Sequence, residues 1–186
     1  MEYDPSATAW LRDIRRARRT VTGMATLHGS GIPYGSVDGP WAGAVWFDVP
    51  VPFVSKSNHR FTGRGDQTWA RIRSFEDTVG LLARAARPEA WLMGSSEDKI
   101  ADRPRIVLLL TARTTLDAPN TFKSVADALG GEILYVDDAQ VAYCGALVEK
   151  RTRTDEGGRI AVAVLEPGTS NEDVMAAAAA LTTAIL

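Results

Sequence analysis

One cysteine and two histidines stand in 186 residues, and each scarcity removes a class of chemistry. The single Cys144 has no intrachain partner for a disulfide. His28 and His59 lie at no metal-ligand spacing from each other or from Cys144, so a zinc centre and a Cys/His catalyst are not expected. Long apolar runs are also missing. The longest, over 174–186, is interrupted by Thr182 and Thr183 and falls short of the roughly 20 residues of a membrane span. No basic leader followed by an apolar stretch opens the sequence, so the expectation is a cytoplasmic protein with no membrane partner. There is no Gly-x-x-x-x-Gly-Lys loop, and the glycines over 23–43 lack the strand-to-helix setting of a dinucleotide fingerprint, so no nucleotide cofactor is expected. An excess of positive charge is absent too: the formal net charge is -2, and the whole-molecule field gives no sign of a polyanionic partner.

What is present is ordinary globular composition, 45% apolar and 24% charged, enough for one sizeable core. Charge is distributed unevenly. Arg12, Arg15, Arg16, Arg18 and Arg19 form one basic cluster, and Lys150, Arg151 and Arg153 another, either of which solvation of a surface face would explain. Ser6 or Asp4 can cap a helix to about Thr20, and the Gly- and Pro-containing stretch after it reads as an irregular linker. The expected organisation is an N-terminal helix and linker over 1–43, a main domain over 44–168 and a C-terminal helix over 169–186.

Within the main domain, Ala44–Val51 is rich in β-formers and runs into a polar loop. Trp69, Ile72, Phe75, Val79, Leu82 and Ala86 recur at three or four residues and predict an amphipathic helix ending before Pro88. Ile106-Val-Leu-Leu-Leu110 suits a strand buried on both faces. Phe122, Val125, Ala126 and Leu129 mark a helix that Gly130-Gly131 stops. Strands follow at Val141–Glu149 and Arg159–Leu165, and Ser170 caps a final alanine-rich helix. This order predicts an α+β fold with a small mixed sheet.

Two groups of polar residues could carry chemistry. Asn120, Lys123 and Asp127 fall at i, i+3 and i+7 of one helix face, with Asp117 just ahead of the helix. The plainer account is that Asp117 caps the helix and the others face solvent. Asp137-Asp138 precede a strand, and adjacent carboxylates are comfortable only where water, an amide or a cation neutralises them; an exposed turn satisfies that as well. Joined, Asp117 and Asp138 would offer hard oxygen ligands to Mg2+, which takes one or two carboxylates with water and substrate phosphate. Lys123 would then supply a point charge to a phosphoryl group.

Three segments carry a family resemblance. Val49-Pro-Val-Pro-Phe-Val-Ser-Lys-Ser-Asn58-His-Arg60 resembles the opening strand and loop of the RusA-type Holliday junction resolvases. Asp117-Ala-Pro-Asn120-Thr-Phe-Lys123-Ser-Val-Ala-Asp127-Ala-Leu129 resembles their Asp-x-Asp-Asn-x-x-Lys-x-x-x-Asp-Ala-Leu segment, and Asp137-Asp138-Ala-Gln140-Val141 their Asp-Asp-x-Gln-Val segment. The resemblance implies a homodimeric, Mg2+-dependent (or Mn2+-dependent) endodeoxyribonuclease that cuts four-way DNA junctions symmetrically. It implies catalytic roles for Asp117, Lys123 and Asp138, metal contacts from Asp117, Asp138, Asn120 and Asp137, and a supporting role for Asp127. Lys56, Asn58, Arg60 and Arg64 would hold DNA. One position departs: Pro119 stands where the family pattern has a second aspartate, so the alternative is a catalytically silent junction-binding or DNA-binding protein on the same scaffold. Both the plain and the sharp readings place Asp117 at a helix start; only the sharp one requires it to share an ion with Asp138.

Overall fold

The computed structural model describes residues 41–56, 67–89, 91–150 and 157–185. Its centre is the run of branched apolar residues that opens β2 (Arg105–Thr114). Ile106, Leu108 and Leu110 enter one core cluster, Val107 and Leu109 another, so this strand is buried on both sides as its uninterrupted apolar run demands. β1 (Trp41–Val49), β3 (Val141–Lys150) and β4 (Gly158–Leu165) complete a four-stranded sheet in the order β1-β4-β2-β3. β4 is antiparallel to both β1 and β2, whereas β2 and β3 run parallel.

Helices cover the two faces. α1 (Gln67–Ala86) buries Ile72, Phe75, Val79 and Leu82, the apolar stripe expected from their spacing. α2 (Ala118–Leu129) buries Val125, Ala126, Ala128 and Leu129, and packs beside α1 in the larger core with Val45, Phe47 and Val49. α3 (Asn171–Ile185) lays Val174, Ala177, Ala178 and Leu181 on the opposite face, against Val107, Leu109, Ala161 and Ala163. Its start is capped as expected: Ser170 Oγ accepts the Asp173 N–H at 3.2 Å. The result is an α+β arrangement with a mixed sheet. The N-terminal helix predicted over 6–20 lies outside the described residues. No helix among those described is long and apolar enough to cross a membrane.

β2, α2 and β3 form one strand–helix–strand crossover, and this unit decides where the candidate residues go. Two parallel neighbours cannot be joined by a tight turn, so the chain must return the length of the sheet before entering β3. It does so through α2, whose twelve residues cover roughly 18 Å at helical rise. Residues 130–140 then bring it back to the level of Ile106, which pairs with Val141, while Thr114 at the far end pairs with Lys150.

Candidate active site

Asp117 sits just past the C-terminal end of β2 and is the N-cap of α2. Its Oδ1 accepts the Asn120 N–H at 2.9 Å, and its carbonyl accepts the Thr121 hydroxyl at 2.7 Å. Pro119 occupies the first turn, where a missing N–H costs nothing and the fixed φ favours helix entry. Asp117 therefore spends one carboxylate oxygen on the helix and keeps the other towards solvent. Asn120 and Lys123 follow on the same helix, the first half-buried and the second exposed.

Asp137 and Asp138 stand at the other end of the crossover. Asp137 caps a 3-10 turn, Asp138–Gln140, by accepting the Ala139 N–H at 2.8 Å. The turn is anchored by Gln140, which is buried and uses its whole amide. Its Oε1 accepts the N–H groups of Val136 and Asp137 at 2.9 and 3.1 Å, and its Nε2 donates to the carbonyls of Met93 and Pro104, both at 3.1 Å. Asp138, held on this platform, is exposed and makes no hydrogen bond or ion pair with another described residue. Gln140 is the residue whose role sequence reasoning missed. Its signal was present: Asp-x-x-Gln is the spacing of a capping box.

Lys56 belongs to neither end of that pair. Its Nζ lies 3.0 Å from Glu76 Oε1 on α1 and 3.0 Å from Asp127 Oδ2 on α2, while its backbone N–H donates to the buried Ser124 hydroxyl at 3.2 Å. Burial opposes the charge of the Lys56 amine, but hydrogen bonds and attraction from Asp127 and Glu76 outweigh it and raise its pKa. The expected phosphate contact thus has its charge answered by two carboxylates, and Asp127 serves as one of the two clasps. Asn58, Arg60 and Arg64 lie outside the described residues.

Tyr135 ties the far end together. Its hydroxyl donates to the Ala126 carbonyl at 2.6 Å inside the core. Burial pushes its pKa up, and the nearby negative charges of Asp127 and Asp138 push it further. Both carboxylates are therefore within electrostatic reach of one phenol, at the C-terminal end of α2.

The expected meeting of Asp117 and Asp138 does not occur within one chain. Asp117 follows β2 and starts α2; Asp138 precedes β3 and adjoins Pro104, where β2 begins, through Gln140. The ten residues of β2 between these levels span roughly 30 Å at strand rise. The physical cause is the parallel crossover, which puts the residue before its helix and the residue before its second strand at opposite ends of the sheet. Correspondingly, no group of three or more His, Cys, Asp or Glu side chains able to hold a metal ion exists among the described residues. In kind, the donors suit a hard cation: carboxylate oxygens at Asp117 and Asp138, with an amide at Asn120. In number they do not complete a site inside a single chain.

Such an arrangement, an α+β domain with solvent-facing acids at both ends of one crossover and an exposed lysine on its helix, defines a scaffold suited to phosphoryl chemistry. A family model described as Endodeoxyribonuclease RusA matches residues 50–165. The chain belongs to the RusA endodeoxyribonuclease family, which places it among nucleases that act on DNA. The matched span contains β1's last turn of sequence, the Lys56 loop, both acidic segments and β4. No curated protein matches the chain.

Proposed function

We propose that the protein is a divalent-metal-dependent endonuclease that resolves four-way DNA junctions, acting as a homodimer whose two sites each draw residues from both copies. The observation that carries the second half of this reading is the separation of Asp117 from Asp138. If both serve one site, as the family resemblance implies, they must come from different chains. Asp117, Asn120 and Lys123 of one protomer would then face Asp138 of the partner subunit, with Asp137 fixing the turn that presents it.

A bound Mg2+ or Mn2+ would polarise the scissile phosphate and lower the pKa of an attacking water. The chain's own contribution is positional. Asp117 is held by the helix it caps, and its second oxygen is directed by that bond. Asp138 is held by the four hydrogen bonds of Gln140. Lys123, exposed and without an ion-pair partner among the described residues, supplies positive charge beside the phosphate as its negative charge builds. Phosphate contacts away from the scissile bond fall to Asn58, Arg60 and Arg64, because Lys56 is already committed to Glu76 and Asp127. Two sites related by a two-fold axis account for paired cuts, since a four-way junction offers two equivalent strands.

Mixed dimers test the reading. Asp117→Asn and Asp138→Asn homodimers should each fail to cut a synthetic junction. Subunit exchange between them gives heterodimers in which one site keeps both aspartates and the other keeps neither, so the mixture should nick one strand without the paired cut. If each site were built within one chain, every site in the mixture would carry a defect. An inert mixture, with heterodimers verified by mass, rejects the shared-site arrangement.

A second reading rests on Pro119. It is exposed and offers no carboxylate where the family pattern has one, so the scaffold would bind junctions without cutting them. Junction binding with no cutting in Mg2+ or Mn2+, and cutting gained by Pro119→Asp, would favour that alternative. Cutting by the unaltered chain removes it.

A further inference from the structure

We propose that the free edge of β3 pairs antiparallel with β3 of a second copy, joining two sheets into one and bringing Asp138 of each chain to Asp117 of the other. This rests on the reading that both aspartates serve one nuclease site, and it names the surface through which that site is assembled.

β3 is hydrogen-bonded to β2 along one side, and among the described residues nothing pairs with the other. A bare strand edge is an adhesive surface, which proteins ordinarily blunt with charge, proline or a bulge. β3 has a register irregularity only at its beginning, between the pairings of Ile106 and Val107. From there Tyr143-Cys-Gly-Ala-Leu-Val148 carries neither charge nor proline, and it exposes Cys144 and 58% of Leu147. β1 is the sheet's other edge, but β4 and β2 separate it from β3, and neither acidic segment adjoins it.

Direction follows from the ends of the strand. β3 opens after Asp137 and Asp138 and closes on Lys150. Parallel self-pairing would set acids against acids, whereas antiparallel pairing sets them against the lysine-bearing end of the neighbour. Antiparallel pairing about a two-fold axis normal to the sheet also keeps both α2 helices on the same face. Asp138 then lies level with the far end of the partner's β3, whose adjacent strand is the partner's β2, the strand that leads into Asp117. The lateral offset is two strand spacings, roughly 10 Å between backbones, against roughly 30 Å along the strand within one chain. Two aspartate side chains and a shared cation can bridge the smaller span but not the larger. No pairing along β1 brings the two acids together.

Cysteine scanning of the full-length protein tests the surface without relying on activity. An antiparallel pair has one position that opposes itself across the two-fold. Single cysteines are placed at 143, 146 and 147 in a Cys144→Ala background, with the native Cys144 and an Ala44→Cys control on β1, and oxidised at low protein concentration. The expected result is a dimer by sedimentation, with disulfide-linked dimer peaking at one β3 position and absent at Ala44→Cys. A monomer, a peak on β1, or equal yields everywhere would overturn the proposal. Paired with the mixed-dimer assay, the outcomes separate: heterodimer nicking without β3 cross-linking sinks this interface and leaves the shared site standing. Cross-linking through β3 with inert heterodimers keeps the interface and sinks the active-site reading.

Discussion

Asp117 has two oxygens, and the structure gives them different work. Oδ1 satisfies the Asn120 N–H at the start of α2; the other is left for a ligand. Replacement by asparagine preserves the capping oxygen and removes the charge, whereas alanine removes both. Asp117→Asn should therefore keep its thermal stability while losing metal-dependent cutting, and Asp117→Ala should lose cutting together with about 1 kcal/mol of stability. Thermal unfolding of the two variants beside a junction-cleavage assay separates the cap from the catalyst. Equal activity in Asp117→Asn and the unaltered chain would reduce this residue to a cap. Gln140 makes a contrasting case, since its amide is invisible to chemistry but holds the acidic turn. Gln140→Leu leaves two N–H groups and two carbonyls without their partner, each loss costing about 1–3 kcal/mol where the group stays buried. Urea unfolding should register a drop on the order of 3 kcal/mol, and an unchanged midpoint would show that water replaces the amide.

Among elements, the loop after β1 is fastened to α1 and α2 by one amine. Lys56 meets Glu76 and Asp127, with 31% of its own side chain and 13% and 30% of theirs exposed, so solvent screens the contact only in part. Its raised pKa fixes the sign of the pH dependence. The folded state binds this proton more tightly than the unfolded chain, so the contribution is complete below the ordinary lysine value of 10.5 and disappears as pH rises through the folded value. Lys56→Met should cost about 1–2 kcal/mol at pH 7, with the gap to the unaltered protein closing in strongly alkaline solution. Denaturation at pH 7 and above pH 11 checks this. A gap that widens with alkalinity would contradict the assignment. The same clasp explains a limit of sequence reading. Lys56 in a polar loop looks like a phosphate contact because Glu76 and Asp127 are distant along the chain, and no local spacing reveals that three elements bring them together. The strands and helices themselves were legible, since Ile106–Leu110 and the stripe from Trp69 to Ala86 carry their periodicity openly. The crossover was half legible. A strand, a twelve-residue helix and a strand in succession imply a parallel pair, and Asp117 and Asp138 flank that unit at opposite ends; sequence similarity alone, which treats the two as parts of one motif, hides the distance between them.

At the scale of the whole molecule, a site divided between copies couples metal binding to assembly. If two chains together hold an ion that neither holds alone, dimerisation must tighten metal binding, and by thermodynamic reciprocity metal must tighten the dimer by the same factor. The single chain has no cluster of three or more metal-binding side chains among its described residues, so its folding gains little from the ion. Chelation should accordingly abolish cutting and weaken the dimer while the unfolding midpoint of the isolated chain, measured at protein concentrations below the dimer Kd, stays where it was. Sedimentation across a dilution series in Mg2+ and in chelator measures the first effect, and Asp138→Asn, which withdraws one ligand from each site without disturbing the Gln140 platform, should erase the difference between the two series. The loss of that difference in Asp117→Asn as well would show that both ends of the crossover report to one ion. A dimer constant indifferent to Mg2+ in a protein that nevertheless cuts only with Mg2+ would mean that each chain gathers its ligands alone, from donors other than the two aspartates that the β2–α2–β3 crossover holds apart.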